Sequence, residues 1–172
     1  AEYILMSAYM GRCMGTPRTI DNDLSSTDHF PGFASAAKYI ATSGMETYRD
    51  ARVYDTGMVG IVEIMGRHAG WLAGAAGLAT AMGAGPDLVY LPEIDFDMKK
   101  FLADVKRIYD EKGNCLVAVS EGIHYADGSF VSWAKTSAID VFGHAQLGGL
   151  PSIMADTVNN ALARNSRGSQ ST

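Results

Sequence analysis

A chain of 172 residues, 47% hydrophobic and 19% charged, is long enough to close one hydrophobic core. Its net charge of -5 excludes a nucleic-acid binder working through a global positive field, so any anion must be held by locally concentrated arginines. Two cysteines, Cys13 and Cys115, do not make a disulfide framework, and no leader-like or membrane-length apolar run is found, which points to a reducing, cytoplasmic setting.

In chain order, Tyr3 to Met10 is apolar without a diagnostic period. The polar loop Thr19–Asp23 follows, and residues 32–52 read as a helix with Phe33, Ala36, Ala37, Ile40 and Ala41 on its inner face. Residues 57–64 read as a buried strand, and residues 69–82 as a helix of small residues. A strand is expected at 88–91. The amphipathic stretch 96–112 then turns Phe101, Leu102, Val105, Ile108 and Tyr109 inward and Lys99, Lys100, Lys106 and Arg107 mostly outward. Gly113-Asn114 breaks this helix before a strand at 116–119. A loop through Tyr125 to Gly128 leads to a last helix at 152–163, and the polar tail 164–172 is expected to fray. Alternating strands and helices imply an α/β fold with a largely parallel sheet flanked by helices. Gly83-Ala84-Gly85 precedes a strand instead of following one, the wrong context for a dinucleotide-binding fingerprint.

Three polar clusters fall at the ends of apolar runs. Pro17-Arg18-Thr19-Ile20-Asp21-Asn22-Asp23 places a cation, a hydroxyl and two carboxylates around one turn. In an extended segment Asp21 and Asp23 would point the same way, one free to act as a base while the other manages a cation. Pro, Asn and Asp are equally at home in a plain turn. Val62 to Trp71 sets Met65-Gly66-Arg67 at a strand's carboxyl end, where α/β sheets bind ligands, with a helix N-terminus behind it that could receive an anion. Arg67 offers a cationic fork, and Gly66 lets a ligand come close to the backbone; the alternative is an arginine tied to Glu63. Ser120-Glu121-Gly122 ends a third run, where Glu121 could accept hydrogen bonds from a sugar hydroxyl or stand as a solvated loop acid.

These clusters resemble, in order and at compatible spacing, three signatures of the 6-phosphofructokinase family. Pro17 to Asp23 is similar to P-(G/K)-T-I-D-N-D, Val62 to Gly70 to V-E-x-M-G-R-x-(A/C)-G, and Val117 to Gly122 to a V-A-x-(S/T)-E segment. Residues 28–33 and 86–93 also look like family sequence, so the likeness runs from about residue 13 to about residue 163. It implies part of a two-domain architecture with the active site in the cleft, and a glycolytic transfer of a phosphoryl group to fructose 6-phosphate. Residues 1–163 would be the central portion of that catalytic unit, with no internal boundary legible.

The resemblance also implies roles. Asp21 would be the general base for the C1 hydroxyl, with Thr19 and Ile20 lining the same loop and Thr19 near the transferring group. Asp23 would support the loop and help with Mg2+, while Met65, Gly66 and Arg67 would contact the sugar phosphate and Glu121 a sugar hydroxyl. Family members that use ATP commonly carry Gly at the position of Arg18, and those that use pyrophosphate commonly carry Lys; a bulky cation there favours pyrophosphate over ATP. The family's Gly-Gly-Asp-(Gly/Asp)-Ser donor loop, with its magnesium-binding Asp, has no counterpart here and is expected upstream. Phe142 to Gly149 lacks the arginine wanted in the family's C-terminal sugar-phosphate motif and reads as a turn, and Met58 stands where many members lend an arginine across a subunit interface. A homo-oligomer is expected, and so is an internal fragment of a longer enzyme. A non-catalytic, sugar-phosphate-binding or regulatory fragment is the reading of another class.

Overall fold

The computed structural model describes residue 15 and residues 19–55, 57–132 and 149–168, with side chains of the last segment up to 162. Arg18, Cys13, the stretch 3–10 and residues 142–148 lie outside the described residues.

Helix α1 (Phe33–Asp50) leads to strand β1 (Val59–Ile64), helix α2 (Trp71–Ala76), a 3₁₀ turn (Gly77–Met82) and strand β2 (Leu88–Tyr90). Helix α3 (Met98–Lys112), strand β3 (Cys115–Ser120) and helix α4 (Leu150–Gly168) complete the order. The three strands form one parallel sheet with β3 between β1 and β2. Parallel neighbours need crossovers, and these carry helices onto both faces.

Alternation along β3 decides which residue meets which layer. Cys115, Val117 and Val119 join Phe101, Val105, Ile108, Leu150, Met154 and Val158 beneath α3 and α4. Ala118 turns the other way, to Phe33, Ala37, Ile64, Leu72, Ala73, Ala75 and Ala76 beneath α1 and α2. Every residue of β3 is therefore buried, whereas β1 is mostly half-buried and only Ile64 is fully enclosed. The expectation of a buried first strand is corrected on this point, because β1 pairs only with β3 among the described residues.

Helix α3 forms as its sequence predicts. The Asp97 carboxylate accepts the N–H groups of Lys99 (2.8 Å) and Lys100 (3.3 Å), satisfying two donors that the first turn leaves open. Phe101, Val105 and Ile108 recur on the buried face, Lys99, Lys100, Lys106 and Arg107 are exposed, and Gly113 closes the helix. At the opposite end of the sheet from the polar clusters, Asp87 ties three elements together. Its carboxylate, only 3% exposed, accepts the Leu116 N–H at 2.9 Å and meets Lys112 at 2.7 Å and Arg52 at 3.6 Å. Nearby, burial and then the Asp87 charge push the Cys115 thiol up to about 12, so it behaves as packing.

Two helical boundaries differ from expectation. The run 69–82 is not one helix: α2 begins at Trp71, since the Gly70 N–H is held by Glu93 (2.7 Å), and the run tightens to 3₁₀ after Ala76. Gly74 and Gly77 lower helix propensity there, and the chain reverses at Gly83 to bring Gly85 against Thr80. Helix α4 starts two residues earlier than expected and carries its backbone to Gly168, through half of the tail read as fraying.

Candidate active site

The carboxyl ends of β1 and β3 lie side by side, with Ile64 opposite Ser120 and the Glu121 N–H donating to the Ile64 carbonyl at 2.9 Å. Just beyond them sit Met65-Gly66-Arg67 and Glu121, two of the sequence clusters, brought together across 55 residues of chain. The Gly66 N–H points to Glu121 Oε1 at 3.4 Å, so Glu121 is engaged at the strand ends and not a free loop acid. Gly66 has φ of 134°, a conformation that side chains rarely adopt, and an added Cβ would run into the Ala69 carbonyl. The space saved by this glycine is thus taken by the protein's own backbone, and not by a ligand as the sequence suggested.

Arg67 is half-buried. Among the described residues no carboxylate lies within ion-pair distance of its guanidinium, so the alternative of a bridge to Glu63 does not hold. Its backbone is wedged against Gly122, where an added Cβ would overlap the Arg67 carbonyl. Met65 and Ile20 stay 56% and 45% exposed, leaving apolar side chains at the rim of a polar site.

The Thr19–Asp23 loop completes the group. Thr19 Oγ1 accepts the Asp21 N–H at 3.1 Å, which fixes the turn and leaves the hydroxyl hydrogen to donate elsewhere. Asn22 takes a left-handed φ of 60°, so the loop is not the extended segment that would align Asp21 with Asp23 by alternation. Its buried side chain holds the loop closed, donating to the Asp28 carbonyl (3.0 Å) and accepting the Phe30 N–H (2.8 Å). Asp21 is held above the ordinary carboxylate range, first by burial and then by the charges of Asp23 and Glu121. One of its oxygens, Oδ1, is buried with no hydrogen-bond partner among the described residues. Glu63 is raised in the same direction, by burial and then by Glu121. Acids from the loop and from both strand ends therefore share one region of negative potential, with Arg67 on the adjoining turn.

Sequence reasoning gave no role to Asn22 beyond turn formation, and none to Ser120 or Glu93. Ser120 is fully buried; its hydroxyl donates to the Gly66 carbonyl and accepts the Gly122 N–H at 3.3 Å. Glu93 occupies the start of α2, where the sequence left room for a bound anion. Only a polar residue at the end of an apolar run hinted at Ser120, and only a proline-punctuated turn hinted at Glu93.

A cavity of about 750 Å³ with a mixed lining lies beside the site, walled by Asn22, Asp23, Asp28, His29, His68 and Glu93 among others. A second, largely apolar one of about 790 Å³ runs between α1 and α2 and carries little chemistry. Among the described residues no three His, Cys, Asp or Glu side chains form a ready-made metal cage. The exposed carboxylate of Asp23 nonetheless suits a hard cation of the kind bound through one or two carboxylates and phosphate oxygens.

A parallel α/β sheet carrying acids and an arginine at its carboxyl edge belongs to the class that binds anionic ligands at strand ends. Residues 3–166 match the family model Phosphofructokinase, and the chain belongs to that family. It is 52% identical over 160 residues to the pyrophosphate–fructose 6-phosphate 1-phosphotransferase of Xanthomonas campestris, covering 90% of this chain and 37% of that protein. The protein of the same name from Halomonas elongata is 45% identical over 150 residues, or 85% of this chain and 35% of that one. The crystal structure of a pyrophosphate-dependent phosphofructokinase from Marinobacter aquaeolei matches with a TM-score of 0.68 at 39% identity, covering 86% of this chain and 33% of that chain. The chain thus spans about a third of the length of these relatives.

Proposed function

We propose that this chain is the sugar-phosphate-binding central part of a pyrophosphate-dependent 6-phosphofructokinase, which converts fructose 6-phosphate to fructose 1,6-bisphosphate in the cytoplasm as a homo-oligomer. The observation that carries the reading is the Asp21 carboxylate, raised by burial and by the charges of Asp23 and Glu121, with one buried oxygen that has no partner among the described residues. An acid kept desolvated at a cost to the fold is poised to accept a proton.

In this reading the C1 hydroxyl oxygen of fructose 6-phosphate attacks the terminal phosphorus of pyrophosphate. The bridging P–O bond breaks, inorganic phosphate leaves, and the hydroxyl proton passes to Asp21. Phosphoryl transfer asks mainly for alignment and charge neutralisation. Arg67 grips the 6-phosphate with a guanidinium that no carboxylate pairs among the described residues, while Met65 and Gly66 shape the turn that presents it. Glu121 keeps one oxygen near Gly66 and offers the other to a sugar hydroxyl. Thr19 donates its hydroxyl hydrogen to the transferring group, and Ile20 flanks it. Asp23 supplies a ligand for Mg2+, which when bound would neutralise phosphate charge. Arg18 meets the donor's terminal phosphate; a planar guanidinium there takes space that a nucleotide would need.

Arg67→Ala tests the sugar-phosphate assignment. Losing a charge-assisted hydrogen-bond pair should raise KM for fructose 6-phosphate roughly 10- to 100-fold, with a smaller change in kcat. An unchanged KM would make Arg67 structural.

A further inference from the structure

We infer that Ser120 is a positioning residue, whose buried hydroxyl locks the ends of β1 and β3 together so that Arg67 and Glu121 meet the sugar phosphate at a fixed spacing. The inference rests on the fructose 6-phosphate reading and concerns a residue to which that reading gives no part.

The regular ladder between β1 and β3 ends where Ile64 faces Ser120, with one more bond from the Glu121 N–H to the Ile64 carbonyl. Past that point the two strands give way to the turns that carry Arg67 and Glu121. The contacts that still join them are few. The Gly66 N–H to Glu121 Oε1 bond, at 3.4 Å, lies at the outer edge of hydrogen-bond distance and is a weak restraint. The Ser120 hydroxyl does more, donating to the Gly66 carbonyl on one chain and accepting the Gly122 N–H on the other. A hydroxyl can do both at once, and both capacities are spent. Ser120 is fully enclosed, so water cannot replace either bond if the hydroxyl is removed.

Steric contact converts this hydrogen-bonded clasp into a setting for Arg67. Gly122 packs so closely on the Arg67 carbonyl that a Cβ would not fit, so whatever fixes Gly122 fixes the Arg67 backbone. Six residue pairs already hold β1 to β3, and the clasp lies at their end. Its consequence is local: it sets the distance between the phosphate-facing turn and the hydroxyl-facing acid.

The test uses the full-length enzyme with Ser120→Ala, Ser120→Thr and, as a control, Val119→Ala. Val119 is equally buried but points into the layer beneath α3 and α4, away from the clasp. Ser120→Ala should raise KM for fructose 6-phosphate about tenfold while kcat and the KM for pyrophosphate change less than about threefold. Ser120→Thr, which keeps the hydroxyl, should restore KM. An unchanged KM in Ser120→Ala overturns the role, as does an equal rise in Val119→Ala or a failure of a stably folded Ser120→Thr to rescue. If the wild-type enzyme does not act on fructose 6-phosphate, the proposed function falls, and with it the sugar-phosphate part of this inference. Amide hydrogen exchange then still decides the clasp: exchange at Gly122 should be slow in wild type and fast in Ser120→Ala, and equal rates overturn the clasp itself.

Discussion

Asp21 carries the chemistry of the proposed reaction, and its surroundings make opposite demands on stability and activity. Burial and the charges of Asp23 and Glu121 favour its protonated form in the folded protein. Between the ordinary value of 3.8 and that raised value the folded state holds more proton than the unfolded one, so this group's contribution to stability falls as pH rises through the window. Above it, the ionised carboxylate is a standing cost. Asp21→Asn should therefore raise the melting temperature at pH 7, and the gain should shrink at a pH below 3.8, where the acid is neutral in both states. The same variant should lose about 10²–10⁴ of kcat while its KM for fructose 6-phosphate stays near wild type. A variant that is less stable at pH 7, or that keeps its turnover, contradicts the assignment. A second consequence concerns wild-type activity, which should decline on acidification with a midpoint above the ordinary carboxylate value, as the base takes up its proton.

At the level of elements, the ends of β1 and β3 act as one unit whose parts lie 54 or 55 residues apart in sequence. Gly122 is its tightest point. Gly122→Ala should force the Arg67 backbone away, costing roughly 1–3 kcal/mol of stability by overpacking. It should also raise KM for fructose 6-phosphate at a temperature where the variant is still folded. Urea unfolding and steady-state kinetics on one preparation separate the two effects, and a variant with normal KM would show that the turn tolerates displacement.

These elements also show what the sequence reveals and what it hides. The 3.6-residue spacing of Phe101, Val105 and Ile108 marks α3, and Asp97 and Gly113 bracket it, because helix signals are local. The apolar run at β3 is equally legible. That Ile64 faces Ser120 is not, since strand register depends on pairings between distant segments. Without that register, Ser120 looks like the polar end of a strand and Glu121 like a loop acid. The start of α2 is misread for a similar reason: the Glu93 carboxylate that meets Gly70 lies 23 residues away. The Asp21–Asp23 loop is recognisable by its residues, yet its shape is set by Asn22 bonding across to Asp28 and Phe30.

Among the described residues, two apolar layers clamp a three-stranded parallel sheet and divide its labour between the two ends. At one end Asp87, Lys112 and Arg52 bind strands to helices by charge. At the other lie Asp21, Glu63 and Glu121, whose charges interact, with Arg67 and the exposed side chains of Met65 and Ile20 beside them. Among the described residues no helix is long and apolar enough to cross a membrane. The chain spans little more than a third of the length of these curated relatives. The most direct measurement is fructose 1,6-bisphosphate formation by the full-length protein, with magnesium and either pyrophosphate or ATP. Turnover with pyrophosphate and none with ATP is the predicted result. Turnover with ATP alone would overturn the reading of Arg18, and silence with both donors would contradict the catalytic account.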